Sequence, residues 1–125
     1  MIKNILLVGF GGGVGSMARY LCQKWFAENY LHPFPWGTFT VNLLGCFLIG
    51  VIYAAGEKTT MLTPQTRLLL TTGICGGFTT FSTFAFENMN LLRSGDISYF
   101  LLYALGSMLS GILLVFAGIA LIKLF

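Results

Sequence analysis

The residues able to do chemistry in this chain are few, and most are uncharged. The densest group is Gly73-Ile-Cys-Gly-Gly-Phe-Thr-Thr-Phe-Ser-Thr-Phe84, where glycines 73, 76 and 77 precede the hydroxyls of Thr79, Thr80, Ser82 and Thr83 inside a long apolar stretch. Glycine weakens a helix, and non-helical backbone at membrane depth persists only where it is buried in protein or lines an aqueous site. Carbonyls released from such a break commonly coordinate a cation. The run therefore predicts a broken helix with an ion. The competing reading is an unbroken helix whose hydroxyls bond back to the preceding turn and pack against a neighbour.

Polar residues elsewhere fall at helical spacing. Thr38, Asn42 and Gly45 stand at i, i+4 and i+7, which puts a hydroxyl, an amide and a small residue on one face. Tyr103, Ser107 and Ser110 repeat that spacing beside Gly106 and Gly111. Interhelical hydrogen bonding accounts for either stripe alone, and two stripes together fit a polar conduit. Arg19 and Glu87 are the charges inside apolar segments, where each is costly and needs a partner. Arg19 either has such a partner or snorkels to an interface one turn before Lys24, and Glu87 either faces the bundle or ends its helix among headgroups. Cys22, Cys46 and Cys75 are odd in number and far apart, each within an apolar run, and read as small packing residues rather than disulfides or zinc ligands.

The elements that must hold these residues follow from composition. The chain has 125 residues, of which 56% are hydrophobic and 9% charged. Its mean hydropathy is +0.83. Soluble domains carry roughly 25% charged residues, so lipid is the solvent this sequence suits. The seven basic residues (Lys3, Arg19, Lys24, Lys58, Arg67, Arg93, Lys123) are scattered singly, which leaves no footprint for nucleic acid. A bilayer core asks for about 20 mostly apolar residues per helix, and four stretches qualify. They cover roughly residues 4–23, 37–56 after the Pro33-Phe34-Pro35 breaker, 64–92 and 97–122, so that residues 1–125 form one four-helix transmembrane domain with short loops. The first stretch continues to Arg19 without a small-residue cleavage pattern, and is expected to be a retained helix rather than a signal peptide.

Four spans bring both termini to one side. Lys3, Lys58, Arg67 and Lys123 then share one face, and Lys24 and Arg93 the other. A bias this small specifies orientation weakly, so insertion both ways and antiparallel self-pairing are expected. The opening residues also fit a dinucleotide-binding loop, since Gly13, Gly15 and Ala18 match G-x-G-x-x-A. That motif needs a second parallel strand and an acid about 20 residues on, whereas Glu28 comes early and precedes no strand. Gly9-x-x-x-Gly13 and Gly11-x-x-x-Gly15 are better read as small-residue pairs that let membrane helices approach.

Together, Gly15-x-x-x-Arg19, Gly37-Thr38-x-x-Val41-Asn42-x-x-Gly45 and Gly73-x-x-Gly76-Gly77-x-Thr79-Thr80-Phe81-Ser82-Thr83-Phe84-x-x-Glu87 resemble the small fluoride channel family known as Fluc or CrcB. The resemblance covers essentially the whole chain. It implies an all-α, four-helix protein of the cytoplasmic membrane, with a break in the third helix, assembling as an antiparallel dual-topology dimer. It further implies a fluoride-selective channel, not an enzyme, that lowers cytoplasmic fluoride by passive export. By motif position the fluoride pathway would comprise Asn42, Phe81, Ser82, Thr83, Phe84, Tyr103 and Ser107, with Arg19 at a vestibule and Glu87 at the end of the broken helix. A sodium ion at the dimer centre would be held by the backbone carbonyls of Gly76 and Thr79. One departure is Gly111, where some relatives continue the fourth-helix track; Ser110 stands beside it. The weak charge bias permits a homodimer, the expected partner, or an oppositely oriented sister chain.

The residue types suit fluoride. The ion is small and strongly hydrated, so a pore must replace its water with donors, and hydroxyls plus the Asn42 amide do so without a titratable site. Aromatic rings have positive edges that Phe81 and Phe84 could present to a dehydrated anion. Their i, i+3 spacing by itself points only to packing. The rival function is a small dual-topology, proton-coupled exporter of cationic compounds, which needs a mid-membrane carboxylate; Glu87 lies late in its span and the first helix offers Arg19 instead.

Overall fold

In an apolar solvent every backbone N–H and C=O must find its partner within the chain, and a helix does this locally. The computed structural model describes Met1 to Phe125, and nearly all of it is helical. In chain order the elements are α1 (Ile2–Asn29), α2 (Trp36–Lys58), α3 (Pro64–Leu68), a π-helical segment (Leu69–Cys75), α4 (Gly76–Phe78), α5 (Phe81–Arg93) and α6 (Ile97–Lys123). They make four helices long and apolar enough to cross a membrane: Ile2–Asn29, Trp36–Lys58, Pro64–Arg93 and Ile97–Lys123.

Helix α1 runs six residues past the expected end at Gln23, because an apolar run stops at the first charge while a helix does not. Its last turns carry Lys24 and Glu28 as an exposed i, i+4 pair at 3.9 Å. Trp25, Phe26 and Tyr30 cluster there with ring centroids 5.1 to 5.6 Å apart. Thr63 caps α3 by accepting from Thr66 N–H at 3.1 Å, ahead of Pro64 in the first turn. Between α5 and α6 the chain reverses on Gly95, whose φ of +80° favours glycine.

Small residues set the packing. Helix α2 lies along α6, with Gly50 against the Val115 backbone and Gly118 against Phe47 and Val51. Helix α1 lies along the third span: a Cβ on Gly11 would meet Leu69 O at 2.8 Å and Gly73 Cα at 2.9 Å. Gly15 sits as tightly against Phe78 N. The pair Gly11 and Gly15 thus packs as its spacing predicts, whereas Gly9 and Gly13 have nothing within 4 Å of a Cβ and do not make the expected close approach. They fall on the face of α1 turned from the bundle.

Candidate functional site

The third span breaks, but on threonines rather than on glycines. Gly73 lies in the π segment and Gly76 keeps helical angles (φ −62°, ψ −39°), while Thr79 (φ −90°, ψ 160°) and Thr80 (φ −151°, ψ 124°) are extended. The glycines serve close packing instead, Gly73 against Gly11 and Gly77 against Gly12. An extended pair inside a span frees backbone groups, and side chains take them up. Asn42 on α2 accepts from Thr80 N–H at 2.8 Å and donates through Nδ2 to the Thr80 carbonyl at 3.0 Å. Thr79 Oγ1 donates to the Cys75 carbonyl at 3.0 Å, and Thr80 Oγ1 accepts from Thr83 N–H at 3.3 Å, capping α5. The Thr80 N–H, which would close the next helical turn on the Gly76 carbonyl, is thereby diverted to Asn42.

Arg19 does not snorkel. Its Nε donates to the Gly77 carbonyl at 3.0 Å, placing a cation at the C-terminal end of the first half-helix, where the backbone dipole favours positive charge. Glu87 does not face headgroups either. One carboxylate oxygen accepts from Tyr103 OH at 2.8 Å and the other from Thr38 Oγ1 at 3.0 Å, and Thr38 also accepts from Gln23 Nε2 at 3.0 Å. This relay ties α1, α2, α5 and α6 together. Tyr103, Val41 and Thr38 are the largest fully buried side chains of the molecule.

A cleft of ≈ 810 Å³ opens over the break, between α2, the third span and α6. Asn42, Phe81, Phe84 and Ser107 from the expected pathway line it, as do Gly76 and Thr79. Phe81 and Phe84 stand 5.9 Å apart at 42°, with Phe81 79% exposed at the open side and Phe84 edge-to-face with Tyr103 at 4.8 Å. Ser107 Oγ is buried with no hydrogen-bond partner in the chain. A buried, unpartnered hydroxyl in the wall of a cleft is a donor available to a guest.

Ser82, Thr83 and the Tyr103 hydroxyl lie outside this cleft, so one chain brings together only part of the expected pathway. Thr80, Thr71 and Thr72 also line it and are not among the expected site residues, and neither is Gln23. The adjacent threonines after a double glycine were the available signal for Thr80; Gln23 had none, since its role depends on which helix faces it. Gly111 is buried against Cys46, so the fourth-helix track ends in helix packing at that level.

A family model described as "CrcB-like protein, Camphor Resistance (CrcB)" matches residues 6–119. The chain is 50% identical over 123 residues to a protein named "Fluoride-specific ion channel FluC" from Leptospira interrogans serogroup Icterohaemorrhagiae serovar copenhageni (strain Fiocruz L1-130), covering 98% of this chain and 97% of that one. It is 51% identical over 125 residues to the protein of the same name from Chlorobaculum tepidum, covering 99% and 98%, and 47% identical over 120 residues to that from Bacteroides fragilis, covering 94% of each.

Proposed function

Because this chain belongs to the CrcB-like family, we propose that it is a fluoride-selective ion channel which lets fluoride leave the cytoplasm passively across the cell membrane. It is a multi-pass membrane protein and not an enzyme. The observation that carries the reading is the break itself: extended threonines held by Asn42 at the floor of a cleft in whose wall the buried Ser107 Oγ has no partner.

The mechanism follows from what the cleft offers. Fluoride gives up water costing many times RT, and only donors of fixed position can replace it. The second Nδ2 proton of Asn42 and the Ser107 hydroxyl are two such donors, and neither titrates. Phe81 and Phe84 add ring edges and exclude water, which strengthens each remaining contact. A dry passage lined by fixed donors disfavours larger halides, whose weaker contacts with those donors bring less in return. Ser82, Thr83 and Tyr103 complete the proposed track, with Tyr103 positioned by Glu87 and Arg19 holding the broken end at the vestibule side.

The open side of the cleft fits a second copy of this chain in antiparallel orientation, which the four-to-two distribution of basic residues permits. Gly76 and Thr79 fit a sodium ion at the centre of that dimer: their carbonyls are neutral hard oxygen donors, and the Gly76 carbonyl has lost its helical partner to Asn42. The ion would supply a fixed positive charge between the two pathways.

The test is fluoride efflux from liposomes containing the purified protein, against chloride and bromide, with and without an imposed proton gradient. Passive fluoride flux with the larger halides retained supports the channel. Impermeability to fluoride, or equal passage of bromide, ends it, and proton-driven flux of organic cations would establish an exporter instead.

A further inference from the structure

Of the seven basic residues only Arg19 and Arg67 are not exposed, and Arg67 takes no part in the pathway. Arg67, in the last turn of α3, has a guanidinium packed between two features of α2. A Cβ on Gly56 would meet its Cζ and Nε at 2.9 Å, and its Cζ stands 5.9 Å over the centroid of the Tyr53 ring. Its Nε is buried and has no hydrogen-bond partner, and the chain's single ion pair lies elsewhere, between Lys24 and Glu28. The guanidinium therefore carries its charge with neither a counter-ion nor a hydrogen-bond acceptor for Nε within the chain.

The position of this charge determines what it can attract. Arg67 lines a pocket of ≈ 260 Å³ together with Tyr53, Leu62, Pro64, Thr71 and Thr72. Tyr53, Thr71 and Thr72 also line the large cleft, so the two spaces meet at those three residues. Thr71 is turned inward, its hydroxyl donating to the Arg67 carbonyl at 2.8 Å, whereas Thr72 is exposed and free to contact a guest. Glycine at position 56 leaves on α2 the space that the guanidinium occupies. The pocket is thus a concave mouth of the cleft that bears one unneutralised positive charge.

We propose that Arg67 forms an anion station at this mouth, where fluoride is drawn from bulk water before it meets the uncharged donors deeper in the cleft. The proposal rests on the channel reading above. It assigns electrostatic capture to a residue separate from the track, since hydroxyls and ring edges attract a hydrated ion only at contact while a full charge acts over the Debye length, about 8 Å at physiological salt. A unit charge ~6 Å away in water raises the local anion concentration by about threefold, and added salt removes that gain.

The experiment compares wild-type protein with R67Q and R67K in liposomes, measuring fluoride efflux at low (~10 mM) and high (~300 mM) ionic strength. At low ionic strength R67Q is expected to carry about one third of the wild-type flux and to converge on it at high ionic strength, while R67K, which keeps the charge, follows wild type. A deficit in R67Q of equal size at both salt concentrations, or shared by R67K, would mean that the guanidinium only supports packing, and no deficit would dismiss the station; either overturns the proposal. A phospholipid phosphate is the other possible acceptor. It would show as a Tm in detergent that rises with added phosphatidylglycerol in wild type but not in R67Q, an outcome that also overturns it. Wild-type protein that carries no fluoride defeats the channel reading itself, which separates the two failures.

Discussion

Replacing Asn42 tests the break and the pathway at once, because its side chain spends one acceptor and one donor on Thr80 and keeps one donor for a guest. In Asn42→Ala the bonds of 2.8 and 3.0 Å are lost together, leaving Thr80 N–H and C=O without partners. Each unsatisfied buried backbone group costs roughly 1–3 kcal/mol, so the pair costs about 2–6 kcal/mol, with the lower end applying if water enters from the cleft. For a chain of this size about 1 kcal/mol corresponds to ~4 °C, and Tm in detergent should fall by about 8 °C or more. Asn42→Asp separates the two roles. Its carboxylate still accepts from Thr80 N–H but sets a second oxygen against the Thr80 carbonyl and a negative charge in the path of the anion. At ~5 Å and an effective dielectric of ~20, that charge opposes fluoride by about 3 kcal/mol, a loss of ~100-fold in flux. Fluoride-electrode recording of liposome efflux, paired with size-exclusion profiles for assembly, reads both quantities. An alanine variant with the wild-type Tm would refute the clamp, and an aspartate variant with wild-type flux would remove Asn42 from the pathway.

Further outcomes are expected at neighbouring positions. Ser107→Ala deletes a hydroxyl that has no partner in the chain, so Tm should stay within about 1 kcal/mol equivalent of wild type or rise, while fluoride flux falls by ~10-fold or more, the loss of one hydrogen bond to a charged species; a flux equal to wild type would take Ser107 out of the track. Phe81→Ile keeps an apolar side chain at a 79% exposed position but removes the ring edge, and flux measured in correctly assembled protein should drop at least ~10-fold. Gly15→Ala places a methyl group 2.8 Å from Phe78 N and 3.1 Å from Gly77 C, backbone atoms that cannot step aside, and should abolish the yield of folded protein on size exclusion. Gly13→Ala meets nothing within 4 Å and should leave Tm unchanged or raise it by the usual helix preference of Ala over Gly, about 1 kcal/mol.

Residue type and spacing settle those features that need no partner. Apolar runs of bilayer length fix four spans, because no other arrangement satisfies their backbone in lipid. The spacing of Thr38, Asn42 and Gly45 puts them on one face of α2, and all three do turn to the third span: Thr38 to Glu87, Asn42 to Thr80, and Gly45 against the Thr79 methyl. The crowding of glycines and hydroxyls marks where the third helix fails. Which residue breaks depends on the neighbours: Gly73, Gly76 and Gly77 stay helical, with α1 packed on the first and last of them, and Thr79 and Thr80 become extended where Asn42 from another helix takes up the N–H and C=O that the ladder gives up. Likewise Arg19 and Glu87 had two readings each in sequence, interface or interior. Their partners, the Gly77 carbonyl and the hydroxyls of Thr38 and Tyr103, lie 16 to 58 residues away along the chain, and a charge's burial is settled by the partners that folding brings to it.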